Sequence, residues 1–360
     1  MVRLFFGSGV MKFASGDPAW RDMSALASHY ETQPIPTRFA WHIHAMPSFM
    51  HALGTVLALA IEIVCPWGII LCSRRGRHWA TTCLVALQFG IGLSGQFCYF
   101  NLLSAGLCAA FIDDEAWAIM GFRSQEVSMK NPTKMGGSVL FLACIIVATL
   151  NVIPFLGMIY PSYGDLLPGA IVTLMHYADL FRVVNSYGLF SAVVTTRANV
   201  VIEASSDVHN WREHALSSYP GPLARSPELP MPWSPLNRLD LMMWFAPLGQ
   251  IKQHQWLAPM LRGLLEGDGT GHGVLPASLS HETTGQERWC AVRAVLYHYR
   301  FDTSGSGAWW RREWSRPLLV MVRKTEPGGA GECSSSRVQQ LRRSWCRQGI
   351  LAQRPGESCA

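Results

Sequence analysis

Four apolar runs crowd into the first 160 residues of this 360-residue chain, and they dictate most of what it can fold into. A helix needs roughly 20 predominantly apolar residues to cross a bilayer. Residues 49–72, from Phe49 to Cys72, meet that length with Glu62 as the only formal charge. Residues 79–95 and 97–112 form shorter runs separated by Ser94, Gly95 and Gln96, and residues 136–156 form a fourth. Residues 4–13 read as the closing part of a further membrane helix. Lipid offers the backbone no hydrogen-bond partner, so each run is expected to be helical. The chain is only 15% charged, against roughly 25% for soluble domains.

Basic residues orient the runs. Arg74, Arg75 and Arg77 join the first two, and Arg123, Lys130 and Lys134 lie between the third and the fourth. The positive-inside rule places both clusters in the cytosol. Two crossings separate them, which is self-consistent. Residues 14–48 and everything after 156 are then expected on the opposite, lumenal side.

The later half reads differently. Ser186–Thr195 and Asn199–Ser205 carry β-branched runs suited to strands, and residues 290–301 alternate approximately. Residues 217–235 are rich in Pro and Ser, hence irregular. Leu239–Leu248 and Gln255–Leu265 have helical spacing, with Pro259 near a first turn where it is tolerated. The expected fold is a membrane protein, with an α-helical transmembrane bundle followed by a small mixed α+β, β-rich lumenal domain. The expected limits are a membrane region over 1–160, including the lumenal loop 14–48, a lumenal domain over 161–320, and a disordered tail over 321–360.

Several chemistries are poorly supported. The net charge of +6 comes from local clusters rather than a basic stripe interleaved with aromatics, so nucleic acid is not an expected partner. The ten cysteines show neither a CxxC pair nor zinc spacing. Cys65, Cys72, Cys83, Cys108 and Cys144 lie in apolar runs, where a cysteine acts as a small hydrophobe. Cys290, Cys333, Cys346 and Cys359 can pair if their half faces an oxidising compartment. His42, His44 and His51, spaced on an irregular loop, are weak evidence for a metal site and read first as interfacial histidines. No nucleophile elbow and no Walker or dinucleotide glycine pattern occurs, so no cofactor and no catalytic residue is expected. The N-terminus has no secretory signal pattern, and no retrieval or lipidation motif closes the chain.

The candidate interaction residues fall in three places. The first loop holds Asp17, Trp20, Arg21, Asp22, His29, Tyr30 and Glu31. They form either a platform that touches a client or braces the lumenal domain, or an Asp–Arg network that only fixes the loop. Glu62 sits midway along a span, where an ionisable group is expensive and calls for a partner such as Gln88 or Gln96. Trp244, Phe245, Trp256, Trp309 and Trp310, with Asp240, make either an apolar surface for unfolded chains or a packed core.

The string Gly16-Asp17-Pro18-Ala19-Trp20-Arg21-Asp22 continues to His29-Tyr30-Glu31-Thr32-Gln33-Pro34-Ile35-Pro36. Collinear with it are Glu62 and Pro66, Phe100-Asn101, Asp113-Asp114, Val184-Asn185-Ser186-Tyr187-Gly188, and Val201-Ile202-Glu203. Arg238-Leu239-Asp240, Trp244-Phe245-Ala246, Tyr297, Tyr299-Arg300-Phe301 and Trp309-Trp310-Arg311-Arg312-Glu313 complete the series. Over residues 3–314 the chain resembles the lipase maturation factor family. The resemblance implies a multi-span endoplasmic-reticulum protein that helps secreted lipases, especially homodimeric ones, fold and assemble, without catalytic residues. It marks Asn185 among the motif residues. It also implies earlier membrane helices ahead of residue 1, so the chain is expected to be a fragment. The resemblance stops after Trp314, and a Ser-Pro stretch replaces the family's basic loop before Arg238. A membrane enzyme or redox factor, motivated by Cys290 and the tail cysteines, is the alternative, with a transporter behind it.

Overall fold

The longest apolar run folds as one 24-residue helix, α5 (Ser48–Leu71). At about 1.5 Å per residue that is enough to cross a hydrocarbon core. In the computed structural model, residues 1–122, 134–182, 184–185, 187–227, 237–249, 255–266, 289–323, 336–348 and 350 are described. The helices before α5 are α1 (Val2–Ala14), α2 (Pro18–Arg21), α3 (Ala25–Thr32) and α4 (Arg38–His44). After it come α6 (Arg74–Ser94), α7 (Phe100–Ala109), α8 (Asp114–Ile119), α9 (Lys134–Ile159) and α10 (Gly169–Leu180). The chain divides into two units, Met1–His29 with Met46–Ile91 and Tyr99–Val193, and Tyr30–Ala45 with Gly92–Cys98 and Val194–Ala360.

In the helical unit, α1 runs antiparallel to α5. Phe5 clusters with Ile69, Phe6 meets Trp67 edge-on at 5.1 Å, and Lys12 reaches Glu62. Gly9 permits the close approach, since a Cβ there would stand 2.8 Å from Ile63 and 3.1 Å from Glu62. Leu53, Leu57, Val64 and Ile70 leave α5 with an exposed apolar face, as a helix facing lipid requires. Ser48–Leu71 and Gly137–Ile159 are both long and apolar enough to cross a membrane. The other two expected spans differ. The helix covering 79–95 starts earlier, at Arg74. The run 97–112 yields only the ten-residue α7, about half the length a crossing needs. Arg123 and Lys130 lie outside the described residues. Arg74 pairs with Asp113 and Glu115 at 2.5 and 2.7 Å.

The second unit holds β1 (Arg197–Ser205), β2 (Arg212–His214), β3 (Ala291–Phe301) and β4 (Trp310–Val322) in the order β2-β1-β3-β4, antiparallel throughout. Helices α11 (Arg238–Phe245) and α12 (Leu257–Glu266) cover one face. Leu257, Met260, Leu261, Leu264 and Leu265 form the stripe that packs on Val200, Ile202, Val292 and Ala294. The opposite face carries Val201, Val295, Tyr297, Tyr299, Phe301 and Trp310, packed with Ala40, Trp41 and Tyr30. Both faces of β1 are therefore largely buried.

Two local expectations are corrected. Residues 187–195 are irregular rather than a strand. Their backbone is diverted to partners in the first loop, and Phe190 turns through φ 56°. The apolar residues 169–180 fold as α10. Within the expected disordered tail, α13 (Ser336–Arg347) is helical, while residues 324–335, 349 and 351–360 lie outside the described set, as do residues 228–236 of the Ser-Pro stretch.

Candidate functional site

The motif residues gather in two constellations, one in each unit. In the helical unit Asp17 caps α2, which Pro18 opens with a preset φ. One Asp17 carboxylate oxygen accepts from Ala19 N at 2.8 Å, and the other accepts from Val193 N at 2.8 Å. The buried Trp20 indole donates to Phe190 O at 3.0 Å. Gly16 precedes them at φ +75°, a conformation that favours glycine. Arg21 and Asp22 are exposed. Among the described residues neither Asp17 nor Asp22 forms an ion pair with Arg21. The loop is fixed by carboxylates capping backbone N–H groups rather than by an Asp–Arg network. Hydrogen bonds from Ser24 hold the Asp22 carboxyl below its ordinary value.

Glu62 finds its partner in Lys12 rather than in Gln88 or Gln96. The pair is buried, and the Lys12 ammonium also lies 5.1 Å from the Trp20 ring. Burial, with the Lys12 charge second, pushes the nearby His29 imidazole down to about 4. Asn185 donates to Arg182 O at 3.1 Å and stands apart from this group.

In the sheet unit the centre is Arg197, at 1% exposure, a residue that sequence reasoning missed. Its guanidinium donates to the carbonyls of Glu31, Gln33 and Pro34. It also lies 5.6 Å from the Trp310 ring and 5.7 Å from the Tyr219 ring. Burial lowers its pKa to about 10, so it stays charged at neutral pH. The same short segment is held from every side. Trp244 Nε1 donates to Thr32 O at 2.8 Å, and Glu31 Oε2 accepts from Phe301 N at 3.2 Å. His44 lies 3.7 Å from the same Glu31 oxygen. Gln33 Nε2 donates to Ser94 O at 2.8 Å, Thr37 Oγ1 donates to Leu93 O at 2.6 Å, and Gln96 N donates to Ile35 O at 3.0 Å. Gly95 is required there, because a Cβ would fall 1.8 Å from Gln33 Oε1.

Of the residues singled out by sequence, Tyr30, Glu31, Trp244, Trp309 and Trp310 join this clasp. Trp309 packs on Trp41 at 5.2 Å, and Trp310 lies inside the core. Asp240 is fully buried and accepts from Ser217 Oγ at 2.8 Å and Ser218 N at 3.0 Å. Beside the clasp, Glu203 accepts from Arg293 and from the Tyr297 hydroxyl at 2.7 Å each. Arg293 stacks 3.8 Å above Trp211, and Arg312 joins Glu213 and Tyr299. The signal for Arg197 was available, since a cation inside an otherwise buried strand demands a dedicated cradle.

These groups hold chain segments together. Among the described residues no group of three or more His, Cys, Asp or Glu side chains is placed to hold a metal. Cys290 and Cys346 are disulfide-bonded, whereas Cys65, Cys72, Cys83, Cys98, Cys108 and Cys144 are free.

Two helices long and apolar enough to cross a membrane, joined in sequence to an antiparallel sheet, are the make-up expected of a membrane protein carrying a folded sheet domain. The comparisons name the class further. The profile of the lipase maturation factor transmembrane domain matches residues 1–119, and that of the lipase maturation factor C-terminal domain matches residues 183–320. Lipase maturation factor 2 of Gallus gallus is 28% identical over 91% of this chain and 59% of its own length. The Homo sapiens protein of that name is 27% identical with the same coverage. Lipase maturation factor 1 of Homo sapiens is 28% identical over 87% of this chain and 57% of its own. No solved structure matches. The chain belongs to the lipase maturation factor family, and it spans 59% of the length of the first two of these relatives. Tyr30–Ala45 and Gly92–Cys98 fall in the stretch matched by the transmembrane-domain profile, yet they fold into the unit that contains the sheet.

Proposed function

We propose that this chain is a multi-pass endoplasmic-reticulum membrane factor, chaperone-like and non-catalytic. Its four apolar runs lie in the bilayer. Its sheet unit faces the lumen and holds nascent secreted lipases, homodimeric ones in particular, while they fold and pair. Such a factor acts by mass action on partly folded chains and needs no catalytic constellation.

One observation carries the reading. The charge rule puts residues 14–48, the Ser94–Gln96 break and everything after 156 on the same side of the membrane. Tyr30–Ala45 and Val194–Ala360, drawn from those stretches, make up the sheet unit with Gly92–Cys98, which brackets the break. Arg74 and Asp113, which bond to each other, both belong to the opposite side on the same rule. The disulfide-bonded Cys290 and Cys346 fit an oxidising lumen. Asp240 and Trp310, being buried, shape the unit and leave contact with a client to exposed groups.

The test is isolation of the tagged chain from microsomes of cells making a secreted homodimeric lipase. The lipase subunit is expected to co-purify before it dimerises. Undiminished secretion of active lipase from cells lacking the chain would count against the proposal.

A further inference from the structure

The outer edge of β4 carries backbone positions left open among the described residues, and its register defines what fits there. Trp309 N and Trp310 N donate outward to Leu223 O at 3.0 and 3.1 Å, and Val320 N donates outward to Ile350 O at 2.8 Å. Backbone groups alternate between the two sides of a strand, and each bulge shifts the phase by one residue. The register skips Ser315 and Leu318. Outward positions are therefore Trp310, Arg312, Trp314, Pro317, Val320 and Val322. Pro317 has no N–H to offer, which suits an edge. Besides Val322 at the strand's end, Arg312 and Trp314 remain as neighbouring outward positions, and among the described residues neither makes an outward backbone hydrogen bond.

The side chains set the chemistry. Trp314 is 61% exposed, on the same face as its ladder partner Tyr297. On the other face Arg300 stands directly opposite Arg311 across the ladder, and both are exposed. Like charges so placed repel each other, and no ion pair to either occurs among the described residues. Arg316 is exposed on that face too, and the exposed Glu313 between them leaves the face with three cations to one anion. Charged residues and a proline on an edge discourage association with an identical strand. They also select a strand of opposite charge.

Resting on the maturation reading, we propose that β4 captures an extended client segment alternating apolar and acidic residues, by adding it as a fifth strand. Its backbone pairs with Arg312 and Trp314. Its apolar residues cover Trp314, and its acidic residues answer Arg300, Arg311 and Arg316. This is strand addition, in which main-chain bonds give affinity and alternate side chains give selectivity.

The experiment uses the full chain in lipid nanodiscs and a fluorescent peptide in which Val and Glu alternate. Trp314→Pro removes one outward N–H without touching a bond to β3, and Trp314→Val keeps the N–H but not the ring. The proline variant is expected to bind about tenfold more weakly at unchanged melting temperature. N-methylation of the peptide at alternate positions should abolish binding, and Arg311→Glu should transfer the preference to a Val–Lys peptide. Equal binding by wild type and Trp314→Pro, or indifference to N-methylation, overturns the proposal. Wild-type self-association that is lost in Trp314→Pro overturns it in favour of edge pairing between copies. The two readings separate in the lipase capture assay. Equal capture by wild type and the proline variant leaves the maturation role standing and sinks the edge. Failure of wild type to capture lipase sinks the role, and the peptide arm still decides the edge.

Discussion

The two units each bury a cation, and they answer it differently. In the helical unit Lys12 meets the carboxylate of Glu62. In the sheet unit Arg197 meets three backbone carbonyls and two aromatic rings. The backbone explains the difference. Carbonyls within α1 and α5 are consumed by helical hydrogen bonds, so only a side chain can neutralise a charge between them. The segment from Glu31 to Pro34 leaves the end of α3, and its carbonyls point freely into the sheet unit. A guanidinium with its fork of donors gathers several of them at once, which an ammonium cannot do with the same geometry. The helical device depends on two residues fifty positions apart, whereas the sheet device depends on one arginine and the path of a loop.

The comparison breaks first at Arg197. Arg197→Ala orphans three carbonyls and opens a cavity, so the sheet unit should lose about 3–5 kcal/mol. Thermal unfolding followed by tryptophan fluorescence reads this out, since Trp310 and Trp244 line the clasp. Arg197→Lys should recover only part of the loss, and a loss below about 1 kcal/mol would show that the clasp holds nothing.

Lys12→Met comes next. Glu62 can take up a proton once its partner is gone, so the helical unit should lose about 2–3 kcal/mol. Adding Glu62→Leu should restore most of it, and a double variant as unstable as the single one would deny that the two charges are coupled.

Gly95→Ala sharpens the sheet side. The methyl must displace the Gln33 amide and with it the bond to Ser94, which should cost about 1–3 kcal/mol. Relief by Gln33→Ala in the same chain is the expected signature of that clash.

The smallest effect is a pH asymmetry. His29 in the folded helical unit titrates at about 4, below its ordinary value. The unfolded chain therefore binds the proton more readily. Stability is fully present above about 6.5 and falls as pH drops toward 4. The ring keeps partial solvent contact, so the loss between pH 7 and 5 should be about 1 kcal/mol. His29→Gln should flatten it, and an unchanged pH profile in that variant would remove His29 as the cause. Arg197, at about 10, adds nothing in this window.

What could be read from sequence followed the range of the physics involved. The helix α5 was legible because one carboxylate stands alone in a long apolar run. β1 and β3 were legible from β-branched and alternating residues. β4 was not, because skips at Ser315 and Leu318 break its alternation and Pro317 argues against a strand. Ser186–Thr195 misled because its valines and threonines favour strands while its backbone serves Asp17 and Trp20. The third apolar run yielded a short helix because residues up to Cys98 belong to the sheet unit. The motif residues Tyr30 and Glu31 were found, but their centre Arg197 was not. A charge cradled by carbonyls leaves no partner side chain to look for.

The account turns on the side of the membrane to which the sheet unit is delivered. The turn between β3 and β4 is exposed from Thr303 to Gly307, and Ser304→Asn places an acceptor asparagine two residues before Ser306. Expressed in cells and recovered in sealed microsomes, that variant should carry one added N-glycan, removable by endoglycosidase, and should resist external protease. A variant that stays unglycosylated while protease digests the sheet unit in intact vesicles would place the unit in the cytosol and contradict the account.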